Sequence, residues 1–198
     1  TLFARTHNLG SLAIALEPDQ DSCEFIFQPS VGLIAHAQRP SGGQARGTLW
    51  VRAVPKDRES RNSSQGINPD SASTTLRLQP GDYRIELIHA TEGRNRLRFV
   101  VDSKDVRLEG ISASVNLEVP ELHDLVVSAP DVRQGTSLRL RRVDADPRGS
   151  STNMVRVDAS GSVTFGAVPA GVYVLSHYPD KMPVEVTVPT SGFVYDPH

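Results

Sequence analysis

The chain has 198 residues, 38% of them hydrophobic and 6% aromatic, which is enough for one large domain or two of about 100 residues each. Lys and Arg total 21 against 23 Asp and Glu, a formal net charge of −2, and this excludes the strongly basic footprint of a nucleic-acid or polyanion binder. The single cysteine, Cys23, excludes an internal disulfide, and no apolar run approaches the ~20 residues that a membrane-spanning helix needs.

The chain opens on Thr1 without a methionine or an apolar signal-type stretch, so it is expected to be a processed chain or a piece of a longer one. From there the apolar residues alternate with a period of two in segment after segment. Leu12, Ile14 and Leu16 share a face, then Leu49, Val51 and Ala53, then Tyr83, Ile85 and Leu87. Leu97, Phe99 and Val101 follow, then Val115, Leu117 and Val119, Leu138 and Leu140, and finally Val184, Val186 and Val188. No stretch holds the 3.6-residue period of a helix. Most of the 15 glycines and 14 prolines fall between these runs, where they turn the chain. The pattern predicts an all-β protein. The polar stretch 57–74, "DRESRNSSQGINPDSAST", has no periodicity and is expected to be a long mobile loop.

A repeat underlies the alternation. "LQPGDYRIEL", from Leu78, is echoed by "VPAGVYVLSH", from Val168, and sliding the chain by about 90 residues also sets "TLWVRAVPKD" on "SLRLRRVDAD". One unit is expected over 31–120 and a second over 121–198, joined by the short connection "EVPELHD" around Pro120. Residues 1–30 have no counterpart and are expected to be extra strands on the first unit or the end of a preceding domain.

In each echo, Gly81 or Gly171 takes the third position of a type II turn, which requires φ above zero, and Pro80 or Pro169 precedes it. The next large residue, Tyr83 or Tyr173, is placed to bury its ring while its hydroxyl reaches the backbone at the corner. These six residues are expected to be structural.

An apolar strand, a Pro-Gly or Pro-Ala-Gly turn, then Gly-x-Tyr and an alternating strand together resemble the carboxypeptidase regulatory-like family. That family belongs to the wider transthyretin-like, or prealbumin-like, group. "FGAVPAGVYVLSHYPDKMPVEVTV" is the fuller match, and "LRLQPGDYRIEL" carries the first unit. The resemblance implies two tandem Ig-like/transthyretin-like β-sandwich domains of bacterial type, without catalysis or cofactor. It also implies a place beyond the cytoplasmic membrane, whether periplasmic, cell-surface or secreted. Related adhesin repeats often carry a Lys-Asn isopeptide bond; Lys181 follows the Gly-x-Tyr strand, and Lys56 and Lys104 are poorly placed, so no such crosslink is expected.

Other constellations are weighed against this scaffold. His89 and Glu92 in "IHATE" make an H-x-x-E pair like that of zinc carboxypeptidases, with His177 or His198 imaginable as a third ligand. That enzyme class needs a larger α/β body, so no metal site is expected. Asp19, Asp21 and Glu24, and Asp144 and Asp146, alternate as oxygen ligands do, without the glycine or spacing of a calcium loop. "GISAS", from Gly110, is not a nucleophile elbow, and Cys23 lacks a basic neighbour that would activate it. Arg94, Arg96 and Arg98, with Arg84, Arg139 and Arg141, read as the charged solvent face of a sheet in which Glu86 can pair across strands.

Trp50 and Tyr178 are the candidate ligand contacts, since an exposed indole can stack on a pyranose ring. The function expected is a non-catalytic module that spaces, stabilises or docks a neighbouring domain or partner protein, without nucleic acid and without a membrane span. A carbohydrate-binding module is the alternative, and a zinc-dependent hydrolase the third.

Overall fold

The computed structural model describes residues 2–6, 10–14, 30–38, 47–57, 62–92, 96–144, 153–177 and 181–196. All regular structure among them is β. A hairpin of β1 (Leu2–Thr6) and β2 (Gly10–Ile14) forms a two-stranded sheet of its own, with Ala4 opposite Leu12.

Seven strands follow: β3 (Val31–Gln38), β4 (Thr48–Pro55), β5 (Ser63–Gly66), β6 (Ser73–Leu78), β7 (Gly81–Ala90), β8 (Arg98–Leu108) and β9 (Ser112–Glu118). They make a three-stranded sheet, β6-β3-β9, and a four-stranded sheet, β5-β4-β7-β8. The remaining seven are β10 (Leu122–Ser128), β11 (Ser137–Arg142), β12 (Asn153–Arg156), β13 (Ser162–Pro169), β14 (Gly171–His177), β15 (Lys181–Val188) and β16 (Phe193–Val194). Their sheets, β13-β10-β16 and β12-β11-β14-β15, have the same three-plus-four plan. The fold is therefore all-β, with four sheets forming two sandwiches.

The alternation builds the cores. Val31, Leu33, Ala35 and Ala37 of β3 are buried while Ile34 and His36 between them face out, as the pleat of a half-buried strand requires. Leu49, Val51 and Ala53 do the same on β4, and Leu125 and Val127 on β10. Each fully buried Leu, Val or Phe contributes about 1.5–3 kcal/mol of transfer free energy, and Leu33, Leu87, Leu140 and Phe165 are all completely enclosed.

First and last strands of each sandwich lie side by side. Gly32 N–H donates to Ile111 O at 3.0 Å and Val119 N–H donates to Gln38 O at 2.9 Å, so β3 and β9 run parallel along their length. In the second sandwich the parallel partner of β10 is β16, paired only through Val127 with Phe193 and Ser128 with Val194.

The chain also divides into two compact units, neither a single continuous stretch. One gathers Thr1–Ala37, Val51–Glu86 and Ser103–Leu117, and the other gathers Gln38–Trp50, Leu87–Asp102 and Glu118–His198. Inside the latter, the Asn153 side chain accepts from Arg98 N–H at 2.7 Å and donates to Arg98 O at 3.0 Å, and the Phe99 ring meets Tyr173 edge-on with centroids 6.4 Å apart.

Several details depart from the sequence reading. The stretch 57–74 is not a plain loop: β5 crosses it, and Asn68 bridges to Ser73 around a turn leading into β6. Four polar, half-exposed residues, "SSQG", have no apolar alternation to betray a strand. The segment around Pro120 is shorter than expected, because β10 already begins at Leu122. β8 begins at Arg98, so Arg96 precedes the strand and Arg94 lies outside the described residues.

Candidate functional site

The two Gly-x-Tyr phrases lie where the chain changes sheets. Gln79 and Pro80 alone separate β6 from β7, and Ala170 alone separates β13 from β14, while the strands on either side belong to different sheets. So short a link between layers needs a backbone that side chains block. Gly81 has φ +150° and Gly171 φ +152°, beyond the ~+80° of a type II turn and in the extended positive-φ region that is essentially reserved for glycine.

Immediately afterwards the tyrosine turns into the core. Tyr173 is fully buried, and its hydroxyl donates to Pro169 O at 2.8 Å. Tyr83 is buried likewise and shares a hydrogen bond with the Gln79 backbone, again four residues earlier. Burial pushes the Tyr173 hydroxyl up to about 12, with Arg142 pulling the other way. It raises the Tyr83 hydroxyl as well, aided by the negative charge of Asp57.

The H-x-x-E pair is pulled apart. His89 is completely buried near the end of β7, where Gly47 packs so closely that a Cβ there would lie 2.7 Å from the imidazole Nε2. Glu92 is exposed beyond the strand. His177 stands against the Tyr195 ring at 5.9 Å, and His198 lies outside the described residues. Among the described residues no group of three His, Cys, Asp or Glu side chains could hold a metal ion. Asp144 pairs with Arg142 at 2.8 Å; Asp19, Asp21, Cys23, Glu24 and Asp146 lie outside the described residues. "GISAS" turns through Gly110 into β9.

Trp50 is on the outward side of β4, 41% exposed, with Nε1 donating to Thr48 Oγ1 at 3.3 Å. Tyr178 lies outside the described residues. Two residues along the same face, Arg52 Nε donates to Glu86 Oε2 at 2.7 Å, and Arg84 stands 3.8 Å from the other carboxylate oxygen. Glu86 is only 4% exposed although it is on the outward face of β7, so the two guanidinium groups cover and neutralise it. Lys56 forms an exposed ion pair with Asp105 at 2.8 Å.

Of the outward face of β12-β11-β14-β15, the sequence singled out only the charges Arg139 and Arg141. That face exposes Val143, Val172 and Met154 among charged side chains. Which residues become neighbours there depends on the pairing of three strands distant in the chain, and no local pattern reports it.

No protein-family model matches the chain, and no curated protein matches it. Among solved structures, the minor pilin of the gram-positive pathogen Streptococcus agalactiae is 15% identical with a TM-score of 0.40, the match covering 84% of this chain and 94% of that one. A streptococcal ancillary pilin is 9% identical with a TM-score of 0.38, covering 98% and 72%. A putative adhesin from Bacteroides ovatus is 10% identical with a TM-score of 0.36, covering 85% and 89%. A likeness at this level carries no assignment of family or function.

Proposed function

We infer that the chain is a non-catalytic interaction module, two tandem β-sandwich units that space, stabilise or dock a neighbouring domain or partner protein outside the cytoplasmic membrane. The observation that carries this reading is the fate of the H-x-x-E pair: His89 is sealed in a core and Glu92 stands in solvent, so the two side chains do not converge on a substrate. Pro80, Gly81, Tyr83, Pro169, Gly171 and Tyr173 serve the architecture, holding the sheet-to-sheet corners of the two units. The units are taken as 31–120 and 121–198, with 1–30 as extra strands or the end of a preceding domain. The extracytoplasmic place rests on the family resemblance of the Gly-x-Tyr phrases.

The test is thermal unfolding in the presence of zinc, calcium and a set of glycans, because a ligand that binds only the folded state raises the midpoint. An unchanged midpoint with zinc and calcium is expected. A stoichiometric rise with zinc, abolished in His89→Ala, would overturn the non-catalytic reading.

The exposed indole of Trp50 supports a second reading, a carbohydrate-binding module. Trp50 is the sole tryptophan, so its fluorescence reports directly on anything stacked against it. A saturable change with one glycan, together with a calorimetric binding isotherm for that glycan that Trp50→Ala abolishes, would establish this reading over the first.

A further inference from the structure

The outward face of the four-stranded sheet β12-β11-β14-β15 has a row of three side chains that crosses three strands. Arg141 on β11 is opposite Val174 on β14, and Val174 is opposite Glu185 on β15. Arg141 and Glu185 are both exposed, while their strand neighbours Leu140 and Val186 are buried, so both charges point outward. Two strand spacings, roughly 10 Å, separate them, with Val174 between. Neither charge has a partner among the described residues. One step along, Val143 N–H donates to Val172 O at 3.0 Å and Val172 is opposite Thr187, so a second row continues the apolar centre line. Val143 is 55% exposed and Val172 38%.

The first sandwich shows what this face lacks. Arg52, the counterpart of Arg141 in the repeat, is neutralised by Glu86, whereas the counterpart of Glu86 is Ser176. Arg141 therefore remains uncompensated on a face whose middle is valine.

A second copy of the same face supplies what is missing. A two-fold axis lying between two such faces, along β14, sets Val172 and Val174 on their own counterparts. It carries Arg141 of each copy onto Glu185 of the other. The surface is self-complementary in the isologous sense, where residue i meets j and j meets i. We propose that this chain forms a symmetric face-to-face dimer through β11, β14 and β15 of its second sandwich, with two reciprocal Arg141–Glu185 ion pairs flanking a valine seam. Three strands about 4.8 Å apart and about seven residues long present roughly 330 Å² per copy, below the ~800 Å² per partner of a standard stable interface, so the dimer is weak and reversible. It also loosens as salt screens the rim pairs.

Sedimentation velocity of the whole chain over a wide concentration range, at low and physiological salt, tests this. The parent is expected to show a concentration-dependent dimer. Arg141→Glu and Glu185→Arg are each expected to weaken it at least about tenfold, since each replaces two attractions by two repulsions. The double variant restores the dimer, and an equimolar mixture of the two single variants forms a heterodimer although neither associates alone. A parent that is monomeric at every concentration overturns the proposal, as does a dimer indifferent to the single swaps or a double variant that stays monomeric. If either swap disturbs the melting curve, Arg141→Gln and Glu185→Gln are each expected to weaken the dimer without introducing repulsion, and a dimer indifferent to both overturns the proposal.

Discussion

The hydroxyl of Tyr173 reaches back four residues to the carbonyl of Pro169, closing the corner where the chain leaves one sheet and enters the other. Proline supplies no N–H, so this carbonyl is the main-chain group it offers to the corner, and the buried tyrosine satisfies it.

Tyr173→Phe keeps the ring and removes the bond. It should destabilise the protein by about 1–3 kcal/mol, the cost of leaving a buried acceptor unsatisfied, measured by denaturant unfolding. The hydroxyl also sets an alkaline limit. Its pKa rises from about 10 in the unfolded chain to about 12 in the fold. The protonated form is thus favoured by folding, and its stabilisation is complete below pH ~10 and lost as pH climbs through the folded value. Unfolding midpoints against pH should decline over that window in the parent and less steeply in Tyr173→Phe.

Glycine is required at position 47 for two reasons at once. Its φ is +128°, and a Cβ there would lie 2.4 Å from the backbone oxygen of Ala90. Neither the main chain of β7 nor the enclosed His89 ring can give way cheaply, so Gly47→Ala should cost more than about 3 kcal/mol. Gly110, with φ +80° and open space around it, provides the comparison. Gly110→Ala pays only the left-handed conformation, about 1–2 kcal/mol. Equal losses in the two variants would contradict this account.

Removing Arg52 strands a carboxylate that is nearly closed off from water, with Arg84 too distant to replace the lost bond. Arg52→Met should therefore destabilise by about 3 kcal/mol, whereas the pair Arg52→Met with Glu86→Leu should recover most of that, because it removes both charges together. A double-mutant cycle in chemical denaturant reads out the coupling.

Asp158 governs the turn between β12 and β13. Its Oδ1 accepts from the Ser160 hydroxyl at 2.6 Å, from Ser160 N–H at 2.8 Å and from Ser162 N–H at 3.0 Å. These bonds, the Ser160 hydroxyl first, hold its carboxyl below the usual range. A depressed folded pKa means stabilisation that is present above the unfolded value near 4 and disappears as pH falls through the folded one. Acid unfolding of Asp158→Asn should accordingly show a shallower pH dependence than the parent, with the difference confined below pH ~4.

Much of the architecture was legible because the pleat has a period of two and a half-buried strand must show it; Leu49, Val51 and Ala53 are enclosed as their spacing implies. The corners were legible because glycine is tied to a backbone that few other residues tolerate. β5 and the two-residue β16 were not, since one is wholly polar and the other too short to alternate. Burial of His89 was hidden for a different reason. An imidazole on the inward side of β7 fits only because Gly47, 42 positions earlier, has no side chain, a relation that exists only in three dimensions. The Arg141, Val174 and Glu185 row likewise depends on registers among strands that no local pattern specifies.

The parallel closure of each sandwich bears on how the molecule responds to tension. Because β9 lies parallel to β3, chain entering one and leaving the other departs from opposite ends, and a pull on both loads the whole ladder in shear, with its bonds strained together instead of peeled singly. The second sandwich offers the same geometry but only the two residue pairs of β16 to resist it. Stretched end to end, the chain behaves as a strong element in series with a weak one. Single-molecule extension should show the second sandwich yielding at low force and lengthening the tether while the first remains intact.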